Sequence, residues 1–335
     1  MTQSAPTVLT IILNYKTAEM TLESAAAARV AMNGIAGGII IVDNDSQDGS
    51  FEKLSTHVHE AGWDADGHVR VLQSGHNGGF GAGNNVGIRA GLADGSDPDY
   101  VYVLNSDAFP EPDAIRVLLD YMQSSPKTGF AGSYIEGPDG DTHQSNFRYH
   151  TIASEFERAI RFGPVSKILK NYRVSMEIPN EPTPVDWVAG ASLLMRKNVL
   201  DEIGLFDEDF FLYFEEVDLC LRASRAGYSI DFVPDSRVVH IGSVSTGMKV
   251  WKRVPPYWYD SRWLYFSKNF GTAYAVCATL AHLVGGGLHY LRCLVTGKER
   301  GVNPGYLATM LAHDIRALMG RSASSQSQEH RGTVS

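Results

Sequence analysis

The chain has 335 residues, 44% of them hydrophobic, enough to bury one large core or two modest ones. Lysine and arginine number 29 against 38 aspartate and glutamate, a formal net charge of −9 that argues against a nucleic-acid partner. The three cysteines, Cys220, Cys277 and Cys293, share no CxxC spacing, so a reduced, cytoplasmic setting is expected. The N-terminus has no basic leader, and its apolar run Val8–Leu13 is too short for a signal peptide.

In chain order, Thr7–Leu13 predicts a buried strand ended by Asn14-Tyr15-Lys16, and alanine-rich Thr21–Met32 predicts a helix stopped by Asn33-Gly34. Gly38–Val42, Val69–Leu72 and Tyr100–Leu104 predict three further strands, with a helical stretch Gly87–Leu92 before the last. Apolar strands alternating with helices indicate an α/β fold with a mostly parallel central sheet covered on both faces. Ligands collect at the carboxyl ends of such strands. The polar clusters Asn14-Tyr15, Asp43-Asn44-Asp45 and Asn105-Ser106-Asp107 each sit at one of these ends.

Asn77–Asn85 (NGGFGAGNN) fails the dinucleotide spacing, because the third glycine would fall on Asn84 or Val86. It reads as a glycine-rich turn, either plainly flexible or open to close approach by a ligand or a neighbouring loop. From Pro126 to Pro184 the patterning weakens, with Thr151–Tyr172 helical, and the core resumes at Val185–Met195.

Asp207–Arg222 (DEDFFLYFEEVDLCLR) carries the densest signal. A helix from near Phe214 places Phe214, Val217 and Leu221 on a core face and pairs Asp218 with Arg222. Glu216 points elsewhere, with no basic residue three or four positions on. A carboxyl beside apolar surface without a counter-charge has a raised pKa, which suits a general base. The plainer alternative is an amphipathic helix with a solvated acidic edge. Ile230–Val233 and strand-like Arg237–His240 follow, then a Gly/Ser/Thr loop through Gly247.

Beyond Trp251 the composition changes. Trp251–Phe270 is aromatic and basic, and Gly271–Leu291 contains no Asp, Glu, Lys or Arg. Two histidines and Gly285–Gly287 favour an interfacial or protein-packed helix over a spanning one. A membrane-surface anchor and a helical subdomain packed on the core are the two readings of this extension, residues 251–320. The tail 321–335, polar from Ala323, is expected to be disordered.

Asp107 at a strand end is a good ligand for a hard divalent ion carrying a diphosphate, with His240 as a second ligand. Taken alone, a histidine such as His240 is more often a core or surface residue than a ligand. Asp107, His240 and an acid on a nearby helix together describe a metal-assisted transfer site.

VDNDSQDGS, N-GGFGAGNN, LNSDAFP, WVAGASLLM, GLFDEDFFLYFEEVDLCLR and VVH follow one another in a familiar order. Across about residues 7–250 the chain resembles inverting family-2 glycosyltransferases of the GT-A fold, most closely bacterial rhamnosyltransferases of cell-surface polysaccharide synthesis. The resemblance implies a catalytic domain over 1–250, with a donor half of about 1–110 and an acceptor half of about 111–250. It implies that Asp43, with Asn14 and Tyr15, holds the nucleotide base and ribose, and that Asn77 and Gly79 flank that pocket. Asn105-Ser106-Asp107 stands where the family carries Asp-x-Asp, so Asp107 would bind Mg²⁺ or Mn²⁺ and His240 would join the metal shell. Glu216 matches the catalytic base. Trp187, Gly190, Ala191 and Glu215 would border sugar and acceptor, and Glu215 and Asp218 compete for the role of base.

Two positions depart from the pattern. Asn105 removes one carboxylate from the metal signature, and Glu216 stands where Asp is frequent. The implied donor is a nucleoside diphosphate sugar, dTDP-rhamnose favoured. The acceptor is a glycan or polyprenyl-linked sugar at the inner face of the cell membrane, with a homo-oligomer among the expected partners. Two other classes compete. A nucleotidyltransferase or hydrolase would need further acidic ligands or a reactive lysine motif, which the sequence lacks. A glycosyltransferase-like protein that binds without turnover is kept open by Asn105.

Overall fold

The computed structural model describes residues 5–65, 67–242, 253–298, 301 and 305–320. Trp251, Lys252, the loop through Gly247 and the 321–335 tail, all read from sequence above, lie outside the described residues. The chain divides into two compact units.

The first unit comprises residues 1–147, 176–211 and 215–249. Its elements begin β1 (Thr7–Asn14), α1 (Ala18–Ala31), β2 (Ala36–Asp43), α2 (Ser50–Glu60), β3 (Val69–Gln73), α3 (Phe80–Ala90) and β4 (Tyr100–Asn105). They continue with β5 (Ala108–Pro110), α4 (Ala114–Ser124), β6 (Thr128–Glu136), β7 (Thr142–His143) and β8 (Asn146–Phe147). After an excursion into the second unit come β9 (Thr183–Val185), β10 (Trp187–Val188), β11 (Ser192–Arg196), α7 (Lys197–Ile203), α8 (Glu215–Arg225) and β12 (Ser229–His240).

The main sheet runs β3-β2-β1-β4-β11-β6-β12-β5. The first four strands are parallel, β11 is antiparallel to both neighbours, and β6 and β12 are parallel again. The chain winds outwards from β1 to β3 and then returns to β4 on the other side of β1. Such a reversal is where open α/β sheets place their ligands, here at the carboxyl ends of β1 and β4. Val8, Leu9, Ile11 and Ile12 of β1 are buried, as are Val101–Leu104 of β4, which is why both read as unbroken apolar runs.

Several local expectations change. The NGGFGAGNN segment is a turn only at its start, because α3 begins at Phe80. Glycine weakens an isolated helix, but here a side chain would obstruct packing. A Cβ on Gly83 would lie 2.4 Å from Leu13 Cδ1, and one on Gly87 would lie 2.9 Å from Ile11 Cγ2, so the glycines let α3 rest on β1. Ile230–Val233 and Arg237–His240 are one strand, β12, interrupted in register between Val233 and Arg237. Phe214 precedes α8 rather than joining it, with φ at +70°. Helices α2 and α4 and strand β6 went unread in the sequence.

The second unit comprises residues 148–175, 212–214 and 250–335. Residues 148–175, expected within an acceptor half, thus cluster with the C-terminal helices. Thr151–Tyr172 is broken into α5 (Ile152–Ile160), α6 (Gly163–Ile168) and a single 3₁₀ turn. Thr151 caps α5 with a reciprocal pair of bonds to Ser154. Helices α9 (Pro256–Phe270), α10 (Thr272–Thr296) and α11 (Tyr306–Leu318) complete the unit. Among the described residues, no helix is long and apolar enough to cross a membrane.

One buried guanidinium joins these helices. Arg262 of α9 donates from Nε to Glu155 Oε2 on α5 at 2.9 Å, and from Nη1 to Thr279 Oγ1 on α10 at 3.1 Å and Asp314 Oδ2 on α11 at 3.2 Å. His282 Nδ1 lies 3.0 Å from the same Glu155 oxygen. Burial opposes ionisation of Glu155, but Arg262 and His282 outweigh it and hold the carboxyl well below its usual range. Replacing Arg262 by Met should destabilise this unit by about 3–5 kcal/mol, because Glu155 and Asp314 would keep their burial and lose their partner. Urea unfolding followed by far-ultraviolet dichroism checks this.

Candidate active site

Register brings the polar strand ends together. Asn14 pairs with Asp43 across β1 and β2, and Leu13 pairs with Asn105 across β1 and β4, so three of the expected site residues terminate neighbouring parallel strands at one level. Asn14 Nδ2 donates to Asp43 Oδ1 at 2.7 Å and to Ser46 Oγ at 3.2 Å, and Ser46 Oγ donates to Asp43 Oδ1 at 2.5 Å. Asn14 Oδ1 accepts from Thr21 Oγ1 at 2.8 Å. Asn14 and Asp43 are buried and tie the loops after β1 and β2 to each other.

Those loops hold three non-glycine residues in the left-handed region, Lys16, Asp45 and Gln47. Each such position costs on the order of 1 kcal/mol or more and persists where surrounding bonds enforce it, a pattern common at ligand sites. Tyr15 lies in the first loop with the Lys16 ammonium 5.3 Å from its ring centre. Asn44 extends the network to the glycine-rich segment, donating to Asn77 Oδ1 at 2.9 Å and to the Gly79 carbonyl at 3.2 Å.

The turn after β4 places Ser106 and Asp107, and β12 runs antiparallel to β5 with His240 opposite Ala108. His240 Nε2 therefore lies 3.1 Å from Asp107 Oδ1 and 3.3 Å from Asn105 Nδ2. The aspartate and histidine expected to share a metal, 133 residues apart, are adjacent. His143 of β7, which drew no attention in the sequence, has its ring centre 6.3 Å from that of His240. Among the described residues no group of three or more His, Cys, Asp or Glu side chains is placed to hold a metal ion.

The acid cluster on α8 sorts itself by environment. Asp218 is buried and receives Arg222 Nε at 2.8 Å, while the rest of that guanidinium binds the carbonyls of Ile203, Gly204 and Leu205. It is committed to positioning the chain before α8. Glu215 is 2% exposed, too enclosed to meet a substrate. Glu216 is only partly buried, yet its Oε2 atom is enclosed and has no hydrogen-bond partner. Burial pushes the Glu216 carboxyl up to about 7, and burial together with the Glu216 charge pushes Glu215 well above the usual carboxyl range.

Gly190 links this helix to the strand ends. A Cβ there would meet the Phe80 ring at 3.3 Å and Glu216 Cβ at 3.9 Å, and the Ala191 carbonyl next in sequence accepts from the Asn105 amide at 3.1 Å. Glu216, Gly190, Ala191 and Asn105 thus form one continuous wall, with Asp107 and His240 beyond Asn105. Trp187 stands on β10, stacked on Phe147 at 4.0 Å. Gly79 allows α3 to dock on the stretch before α8: its φ is +92°, and a Cβ would lie 1.8 Å from the Phe211 carbonyl oxygen. Asn85 grips the same stretch, donating to the Phe206 carbonyl at 2.8 Å and accepting from its amide at 3.1 Å. Phe80 and His143 are site neighbours that the sequence reading passed over. Asn44 was read only as part of the polar end of its strand, and Ser46, three residues after Asp43 in the same turn-forming run, was given no role of its own.

The sequence model of Glycosyl transferase family 2 matches residues 8–204. The N-acetylglucosaminyl-diphospho-decaprenol L-rhamnosyltransferase of Mycobacterium tuberculosis is 32% identical over 219 residues, which is 62% of this chain and 68% of that one. Rhamnosyltransferase WbbL of Escherichia coli is 28% identical over 165 residues, 48% of this chain and 60% of that one. The structure of S. aureus TarS in complex with UDP-GlcNAc superposes with a TM-score of 0.55 at 14% identity, over 93% of this chain and 81% of that one, and shares the GT-A fold.

Two variants test the wall. Gly79→Ala should cost more than about 2 kcal/mol, because a side chain would meet backbone that cannot retreat, and denaturant unfolding measures it. Glu216→Gln should stabilise the protein, and more so at higher pH. A carboxyl raised to about 7 in the fold destabilises it as pH climbs through the unfolded value of 4.5 towards 7. The melting-temperature advantage of the variant should therefore be small near about pH 5 and larger near about pH 8.

Proposed function

This chain belongs to glycosyltransferase family 2, and we propose that it transfers a deoxyhexose, rhamnose in the first place, from a nucleoside diphosphate sugar to a hydroxyl of a glycan or polyprenyl-linked acceptor, inverting the anomeric centre. The single observation that carries the reading is the continuous wall from Asp107 and His240 through Asn105, Ala191 and Gly190 to Glu216. It supports a diphosphate-binding end and a proton-accepting end of one site. The choice of rhamnose rests on the M. tuberculosis and E. coli relatives, both rhamnosyltransferases by name. A lipid-linked acceptor rests on the diphospho-decaprenol in the name of the first.

The donor set suits a hard divalent ion. Asp107 offers a carboxylate beside the His240 imidazole, and so small a protein share leaves positions for diphosphate oxygens, as Mg²⁺ or Mn²⁺ prefers. When bound, such an ion would neutralise charge on the departing nucleoside diphosphate. Asp43, Asn14 and Ser46 shape the floor beneath the nucleotide, and Tyr15, Asn77, Gly79 and Ser106 line its approaches. Glu216 takes the proton of the attacking acceptor hydroxyl, and its titration near 7 leaves a large ionised fraction at neutral pH together with useful basicity. Glu215, keeping its proton, adds no second charge beside the base. Gly190 leaves room at the wall for the Phe80 ring beside Glu216. Attack by the hydroxyl from the face opposite the leaving group needs no enzyme nucleophile, so one carboxylate suffices.

Glu216→Gln should lower kcat by about 10²–10⁴-fold with donor binding intact. The wild-type rate should fall tenfold per pH unit below about 7, as Glu216 protonates. A variant with unchanged turnover would exclude Glu216 as the base. Chelation of divalent ions, or Asp107→Ala, should weaken nucleoside diphosphate binding by about tenfold or more in calorimetry. A panel of thymidine, uridine and guanosine diphosphates in the same experiment identifies the donor, with thymidine diphosphate expected to bind tightest.

A further inference from the structure

Within the second unit, whose interior holds Tyr259, Tyr265, Phe266 and Met310, helix α10 reverses the usual distribution of side chains. Around α10 the buried positions are Ala275, Ala278, Thr279, His282, Gly285, Gly286, His289 and Cys293, all small or polar. Six large aliphatics of the same helix, Leu280, Val284, Leu288, Leu291, Leu294 and Val295, are exposed, from 46% for Leu288 to 88% for Val295, while Val276 and Leu283 are partly buried. Their spacing of three and four residues places them on one stripe opposite the buried face. The glycines explain the inner face: a Cβ on Gly285 would lie 2.8 Å from the Phe156 carbonyl of α5, and one on Gly286 would lie 2.8 Å from Leu307 of α11. On α11, Leu311, Ile315 and Leu318 repeat the pattern outwards while Asp314 points in. Among the described residues, fifteen of the sixteen strongly exposed large apolar side chains belong to this unit, which makes the patch a designed feature and not scatter.

Charge supplies the second, independent observation. Residues 148–175 and 250–320 contain fourteen Lys and Arg against five Asp and Glu, in a chain whose net charge is −9. Two of those five acids, Glu155 and Asp314, are buried against Arg262 and leave the surface more cationic still. The basic residues adjoin the stripe at its C-terminal end. The Arg292 guanidinium lies 4.9 Å from the Phe162 ring centre and donates to the Arg161 carbonyl at 2.7 Å. Exposed Lys167 and Lys170 follow directly in sequence, flanking Ile168, itself 80% exposed.

We propose that the outer faces of α10 and α11, with the 161–170 segment, form a docking surface for an anionic lipid bilayer. The helices lie in the headgroup region, aliphatics downwards and lysine and arginine at phosphate level, and do not span. The inner face of α10 is already occupied by α5 and α11, and no described helix meets the length and hydropathy of a span. Electrostatic attraction of about 1 kcal/mol per basic residue near an anionic surface adds to apolar burial. A second copy of this chain is the competing occupant, but it would bring its own cationic face against this one. The proposal supplements the transfer reading by holding the protein at the surface where a lipid-linked acceptor resides, and it does not depend on that reading.

The full-length protein is sedimented with vesicles of phosphatidylcholine alone or mixed with phosphatidylglycerol, neither carrying a glycan or polyprenyl acceptor. Binding to the mixed vesicles should be about tenfold or more tighter and should weaken in high salt. The double variant Leu291→Glu with Leu294→Glu should lose about tenfold or more on the mixed vesicles with an unchanged melting temperature. Lys167→Glu with Lys170→Glu should lose affinity for the mixed vesicles only. Failure to sediment with either vesicle, or wild-type binding by the leucine variant, overturns the proposal. So does a wild-type dimer in analytical ultracentrifugation that the leucine variant splits while vesicle binding is absent, since a second copy would then cover the stripe. None of these outcomes bears on sugar transfer, which the activity of Glu216→Gln tests separately.

Discussion

The hydrogen bond from Asn14 to Asp43 holds the two strand ends on which the site depends. Parallel strands end at the same level only when their register is fixed, and here the register sets Asn14 beside Asp43 and Leu13 beside Asn105. Apolar residues drive the strands into the core, and the first polar residue of each stops at its edge. The strained backbone at Lys16, Asp45 and Gln47 is sustained by the side-chain bonds that this level arrangement permits. From the same edge the turn after β4 delivers Asp107, and the long strand β12 brings His240 back to it.

The opposite end of the candidate site is governed by what is missing. Three acids occupy the first turn of α8, and the helix treats them differently. Arg222 takes Asp218, Glu215 and Glu216 each keep an enclosed oxygen without a hydrogen-bond partner, and of these two only Glu216 is partly open. A carboxylate left so is unfavourable to the fold, and that cost is the physical source of its basicity. Gly79 and Gly190 belong to the same economy of space. Each lacks a side chain where the α3 and α8 ends meet other chain, so the wall can close without filling the site.

The second unit solves a different problem with the same forces. Its charge partners are inside, around Arg262, and the large aliphatics along one stripe of α10 are outside. For a protein surrounded only by water this would be a poor arrangement. For one that rests on a lipid surface it is consistent at every level, from glycines that tighten the inner packing to lysines at the margin. The overall net charge of −9 conceals this division, because the acidic first unit outweighs the basic second one.

What the sequence determined by itself was the succession of apolar strands with polar ends, the Asp218–Arg222 pair, and the absence of a counter-charge for Glu216. Those follow from period and spacing within a few residues, where chain connectivity does the positioning. The glycine-rich segment misled because intrinsic propensity opposes a helix there, and only contact with Ile11 and Leu13 reverses the balance. The sequence could not reveal the antiparallel insertion of β11, the approach of His143, or the outward face of α10, and it joined His240 to Asp107 only as candidate ligands of one ion. Each of these depends on residues far apart in the chain that meet only after packing, and burial, which sets both the Glu216 pKa and the exposed aliphatic stripe, exists only in the folded molecule.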